Sequence, residues 1–140
     1  MPAQQAAILN VIVDQVTSPR LDGTRGSALY AIPLRLSDYP TAEWSEFFKH
    51  TWNRPPSYTS MHRPGIASIQ GDRIVLDGTT IEEFKQYHRE TLKGVMKETN
   101  RLYAEWEKAK QRGQEEQRNR EDEHRRRLRD EAGGLNFDDF

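Results

Sequence analysis

The sequence predicts an α+β domain: about four antiparallel strands in the order β-β-α-β-β-α, packed on a long C-terminal helix that extends beyond the domain. Three observations predict it. Ile81, Phe84, His88, Leu92, Val95, Thr99, Leu102 and Trp106 recur in steps of three and four, which keeps them on one face of a 3.6-residue period between residues 79 and 112. Two short alternating segments flank Gly71-Asp72, a glycine-first pair suited to a two-residue type II′ turn. Upstream, Tyr30, Ile32, Leu34 and Leu36 recur at the period of a strand.

Taken in order, residues 7–16 read as the first strand, with Leu9, Val11 and Val13 on one face and Asn10 and Asp14 on the other. Residues 17–27 contain Pro19, Gly23 and Gly26, the composition of a loop. The second strand covers 28–36. Its Pro33 has no N–H for a ladder, which suggests an edge position or a bulge. The first two strands then form an antiparallel hairpin with a long connection.

Ser37, Asp38 and Thr41 around Pro40 form a helix-start signal. The short helix that follows, to about Trp52, presents Trp44, Phe47, Phe48, Thr51 and Trp52. Burial against the sheet is the ordinary role for these rings, and ligand stacking by Trp52 at the helix end is the less common one. Residues 53–65 form a loop with three prolines that carries Arg54, Tyr58, Met61, His62 and Arg63. Cations interleaved with aromatics are what single-stranded nucleic-acid surfaces use, so Arg54, Tyr58, His62 and Arg63 are candidate nucleic-acid contacts. An ordinary surface loop collects the same residues.

In the second hairpin, segments 66–70 and 73–77 pair Ile69 with Ile74 and Ala67 with Leu76 on one face. Ser68, Gln70, Arg73 and Asp77 fall on the other. The long helix begins with Thr79 and Glu82, and Thr80 and Glu83, at the spacing of a capping box. Past Gly113 the chain turns polar. Glu116 with Arg120, Glu121 with Arg125, Asp122 with Arg126 and Glu123 with Arg127 are acid-to-base i,i+4 pairs, each worth only about 0.2–0.5 kcal/mol. A charged, solvated helical extension over 113–132 follows from that pattern. An arginine patch of Arg125, Arg126, Arg127 and Arg129 for nucleic acid is the other reading, which the interleaved acids oppose. The expected organisation is a single α+β domain over 1–112, the extension, and a flexible tail over 133–140.

Composition supports this division. The hydrophobic fraction is 34% and the mean hydropathy −0.96, but the polar excess is local: from 111 to 132 only Leu128 and Ala132 suit burial. Net charge is 0 over 1–78, +2 over 79–112 and −3 over 113–140. No segment has the basic excess that binds a phosphate backbone by electrostatics alone. Cysteine is absent, which excludes disulfide and thiolate chemistry. No apolar run approaches the roughly 18 residues of a membrane span, and a signal-peptide pattern is missing. The expectation is a soluble, cytoplasmic protein.

His50, His62 and His88 lie in different elements without a metal-ligand spacing, and His124 lies in the charged extension. No phosphate-cradling glycine loop or nucleophile elbow occurs, so neither a metal nor a cofactor is expected. His88 falls on the apolar stripe and reads as a core histidine.

After Gly133-Gly134 the chain ends Leu135, Asn136, Phe137, Asp138, Asp139, Phe140. So short a tail cannot bury three large apolar side chains by itself, and an exposed apolar cluster marks an interaction site. This ending resembles the acidic, phenylalanine-terminated tails of bacterial and phage single-stranded DNA-binding proteins. The resemblance covers six residues. It lacks the longer acidic run of those tails, and the body lacks their five-stranded barrel pattern. It implies that Leu135, Phe137, Asp138, Asp139 and Phe140 dock a larger protein, with Phe140 in a pocket and the carboxylates beside basic residues. The alternative is that the tail covers an apolar groove of its own domain. The function expected is thus a non-enzymatic adaptor or accessory subunit acting through its long helix and tail. A nucleic-acid-binding accessory protein using the 53–65 loop comes second. A small hydrolase or ligand-binding domain, with a site assembled in space from His62, Asp77 and Tyr87, comes third.

Overall fold

The structure, a computed structural model, describes residues 5–140; the first four positions of the expected 1–112 domain lie outside the described residues. The chain divides into two compact units, one ending at Ala104 and the other comprising Glu105–Phe140.

The first unit is the α+β domain. Strands β1 (Ile8–Val11), β2 (Tyr30–Leu36), β3 (Ala67–Gln70) and β4 (Arg73–Thr79) form one antiparallel sheet in the spatial order β1-β2-β4-β3. Helix α1 (Ala42–Asn53) lies between β2 and β3 in sequence. After β4 come a short helix α2 (Ile81–Glu83), a π turn (Phe84–His88) and the long helix α3 (Arg89–Gly133). No helix among the described residues is long and apolar enough to cross a membrane.

The second hairpin has the register read from its turn, Ala67 opposite Leu76 and Ile69 opposite Ile74. Gly71 sits at φ +64° while Asp72 stays out of the left-handed region, the pattern of a type II′ turn. Thr41 caps α1 by accepting the Trp44 N–H at 3.2 Å, and Pro40 therefore precedes the cap instead of entering the first turn.

Two expectations about the first hairpin need correction. The face assigned to Leu9, Val11 and Val13 is not the buried one: Leu9 is 58% and Val13 73% exposed. Ile8 opposes Leu36 and Asn10 opposes Arg35, so Leu9 is an extra residue in a bulge, and one inserted residue reverses the side-chain alternation. The strand then ends at Val11, and Val13–Gln15 form a 3-10 turn. Pro33 stands in a central strand, neither at an edge nor in a bulge. It is tolerated because its carbonyl accepts the Ile12 N–H at 3.0 Å. Its backbone polar groups thus face the side of β1, just past that strand's end, where no ladder partner is needed for its nitrogen. The bulge in the β2–β4 pair lies elsewhere, at Gly78, whose φ of +120° only glycine adopts without strain.

Ile32, Leu34, Leu36, Ile74 and Leu76 from the sheet are buried, as are Trp44, Phe48 and Trp52 of α1 and Leu92, Val95, Met96, Thr99 and Tyr103 of α3. Trp44 and Phe48 stack with centroids 5.5 Å apart, and Phe47 is only half-buried. Asn100 ties three segments together. Its Oδ1 accepts from Trp44 Nε1 at 2.9 Å and from the Ala6 N–H at 3.1 Å, while its Nδ2 donates to the Ala6 carbonyl at 3.0 Å. Such pairing satisfies an amide that would otherwise be costly inside the fold.

The second unit is helical to Gly133, with every residue from Lys108 onward exposed. Glu123 and Arg127 close their expected pair at 2.8 Å, whereas Arg120 and Glu121 each meet Gln117. The Lys110 ammonium lies 5.1 Å from the Trp106 ring centroid, a cation–π distance.

Candidate functional site

The 53–65 loop is bound to the domain by the residues that the sequence offered as a nucleic-acid surface. Trp52, buried at the end of α1, donates its indole N–H to the Arg63 carbonyl at 3.0 Å, and Gly65 donates its N–H to Asn53 Oδ1 at 2.8 Å. His62 Nε2 lies 2.8 Å from the Trp52 carbonyl. A carbonyl only accepts, so Nε2 carries a proton, and the buried Nδ1 has no hydrogen-bond partner. The His62 ring lies 4.7 Å from Trp52 and 5.9 Å from Tyr58. Arg63, half-buried, forks Glu83, with Nε to Oε1 at 2.9 Å and Nη2 to Oε2 at 3.0 Å. Arg54 and Tyr58 remain exposed. The loop thus brings His62 beside Tyr58, assigns Arg63 to an ion pair, and leaves Arg54 outside the cluster.

Glu83 was legible only as a capping residue. Half of that box forms, since Thr80 Oγ1 accepts the Glu83 N–H at 3.1 Å. The Glu83 carboxylate instead takes the Arg63 fork and the Thr79 hydroxyl at 3.1 Å. A charge-assisted bidentate pair outweighs a single backbone N–H. The Arg63 hydrogen bonds hold the Glu83 carboxyl below its ordinary value, and the same bonds raise Arg63.

The π turn over Phe84–His88 lies directly after Glu83 and sets the phase in which the long helix continues. His88 is fully buried, edge-on to Trp52 at 5.9 Å, and both ring nitrogens lack a hydrogen-bond partner. Glu83 Oε1 is 3.8 Å from its Nε2, too far for a hydrogen bond. Burial pushes the His88 pKa down, with the Glu83 carboxylate opposing and His62 and Arg63 adding to the shift. Sequence reasoning placed His88 in the core but missed the Arg63–Glu83 pair beside it, whose partners are twenty residues apart.

The residues of the hydrolase constellation are not linked directly. Asp77 is exposed on β4, His62 is held between Trp52 and Tyr58, and among the described residues no hydrogen bond or ion pair joins His62, Asp77 and Tyr87. Nor does any group of three or more His, Cys, Asp or Glu among the described residues have the geometry to hold a metal.

A second feature has no counterpart in the sequence reading. Between β1 and the start of the long helix lies a groove of about 510 Å³, with Ile8, Val11, Leu34, Phe84, Leu92 and Met96 as its apolar lining. Arg89 and Lys93 line it as well and are exposed; Lys93 Nζ pairs with exposed Glu90 at 3.1 Å. The bulge in β1 and the π turn both border this groove, and each is invisible to a fixed period.

In the second unit the tail forms a compact turn. The N–H groups of Gly134 and Leu135 donate to the Glu131 and Ala132 carbonyls, closing the helix end. Asn136 Oδ1 accepts the Asp138 N–H at 2.8 Å, and the Phe140 N–H donates to the Phe137 carbonyl at 3.2 Å. The turn sets the Phe137 and Phe140 rings 5.5 Å apart, yet they are 63% and 96% exposed. Leu135, Asp138 and Asp139 are exposed beside them. No protein-family model, curated protein or solved structure matches this chain.

Proposed function

We propose that this protein is a non-enzymatic accessory subunit that binds larger protein partners through Leu135, Phe137, Asp138, Asp139 and Phe140. The observation that carries the reading is the pair of phenylalanine rings displayed together on a hydrogen-bonded turn, Phe137 largely and Phe140 almost wholly exposed. Water gains nothing from such a display, and burying one ring on a partner returns about 1.5–3 kcal/mol. Asp138 and Asp139 add charge that draws the motif toward a basic surface and speeds encounter more than it adds affinity. The exposed charged stretch of α3 from Lys108 onward offers the second contact surface of this reading.

The test is affinity capture with the immobilised full chain, with a chain ending at Gly134, and with Phe140→Ala. Partners held by the full chain are expected to be lost by the other two, Phe140→Ala weakening binding by about tenfold or more. Equal capture by all three refutes the assignment of the tail.

A further inference from the structure

We infer that the groove between β1 and the long helix takes the 135–140 tail of a second copy of this chain. The inference rests on the reading of the tail as a docking segment and names one partner for it. The groove's volume of about 510 Å³ lies within the ~300–1,000 Å³ range of pockets that enclose most of a small ligand, ample for a phenylalanine. Phe84, Leu92 and Met96 give it an apolar lining that matches the ring.

The charges match too. Arg89 and Lys93 are four residues apart on one helix, which sets them one turn apart on the same side. Both are exposed where they line the groove, and among the described residues Arg89 has no ion pair. The tail brings Asp138 and Asp139 immediately before Phe140, so a ring seated in the groove carries two carboxylates to two cations. Glu90, which holds Lys93, is the acid that the incoming aspartates displace.

The occupant is a second copy because every copy brings both a groove flanked by two cations and a tail with two aspartates beside Phe140. Such a contact is heterologous: each docked pair leaves one groove and one tail open, so association grows with concentration or closes into a ring.

The experiment uses a fluorescent synthetic peptide of residues 133–140 titrated with the full-length protein and read by anisotropy, beside sedimentation velocity of the full chain over a concentration series. Saturable binding that weakens with salt is expected, since these charges are exposed. Peptide Phe140→Ala and protein Arg89→Glu with Lys93→Glu are each expected to weaken it about tenfold or more. Replacing Asp138 and Asp139 of the peptide by Lys should restore binding to the charge-reversed protein. Both protein substitutions are on the surface, and circular dichroism checks that the variant is folded.

No saturable binding to folded protein overturns the inference, as does equal binding to the charge-reversed variant. A chain that stays monomeric at every concentration while its tail amides resist hydrogen exchange means the tail docks within its own copy, which also overturns it. Tail-dependent capture of a different protein, with no peptide binding to the groove, defeats this inference and leaves the accessory-subunit reading standing. Peptide binding to the groove with tail-independent capture defeats only the latter.

Discussion

His88 is a buried titratable side chain through which acid should destabilise this fold. It is fully buried, its ring nitrogens have no hydrogen-bond partner, and burial lowers its pKa below the ordinary 6.5. The unfolded chain, where the ring is hydrated, takes up a proton near pH 6.5, whereas the folded chain resists it. Stability from this group is therefore fully present above pH 6.5. It declines as pH falls, by about 1.4 kcal/mol per pH unit, until the folded-state pKa is passed. Glu83 does not interfere over most of that window. Its carboxyl is held down by Arg63, so its contribution is present above pH 4.5 and is lost only as pH falls below that. The perturbation is His88→Leu, which keeps an apolar side chain of comparable bulk and removes two unpartnered polar atoms from the interior. A buried unsatisfied donor or acceptor costs about 1–3 kcal/mol, so the variant is expected to be as stable as the parent at pH 7.5 or more so. Urea unfolding at intervals from pH 7.5 to 5, followed by tryptophan fluorescence from buried Trp44 and Trp52, measures both. The parent's midpoint should fall with pH in excess of the variant's. Parallel profiles, or a variant destabilised by several kcal/mol at pH 7.5, would show that His88 makes contacts which the burial argument ignores.

Four other outcomes follow from the same side chains. Leu92→Ala, deep in the core, should cost about 2–5 kcal/mol in urea titrations, whereas Arg126→Ala, exposed on the helix, should cost well under 1 kcal/mol. Arg63→Ala should cost about 1–3 kcal/mol by leaving the Glu83 carboxylate without its fork, and the lost stability should return in part with Glu83→Gln added. Single-stranded oligonucleotide binding, measured by anisotropy at low salt, should be absent, because His62 and Arg63 are engaged within the domain; salt-sensitive binding weakened by Tyr58→Ala by about 1–3 kcal/mol would restore the loop as a stacking surface. Deleting 135–140 should move the thermal midpoint by no more than about 2 °C in dilute protein, since exposed residues contribute within about 0.5 kcal/mol.

The sequence by itself determined what acts over a few residues. Gly71-Asp72 dictated a two-residue turn, and a turn of that length sets the register of its hairpin, so Ile69 meets Ile74 without help from the rest of the chain. Thr41 and Thr80 announced helix starts because a cap needs only the N–H two or three residues ahead. The stripe from Ile81 to Trp106 and the charged run after it likewise told a helix with a buried face from one without. Tertiary structure decided everything that depends on partners distant in the chain. Pro33 entered a central strand because β1 ends one residue short of needing its N–H. Leu9 faces solvent because one bulge reverses the alternation. Glu83 left its capping role because folding brought the Arg63 guanidinium to it across twenty residues, and a forked ion pair outweighs a cap. The groove arises in the same way: its lining comes from β1, β2 and the long helix, and no local period encodes a space between segments that only packing brings together.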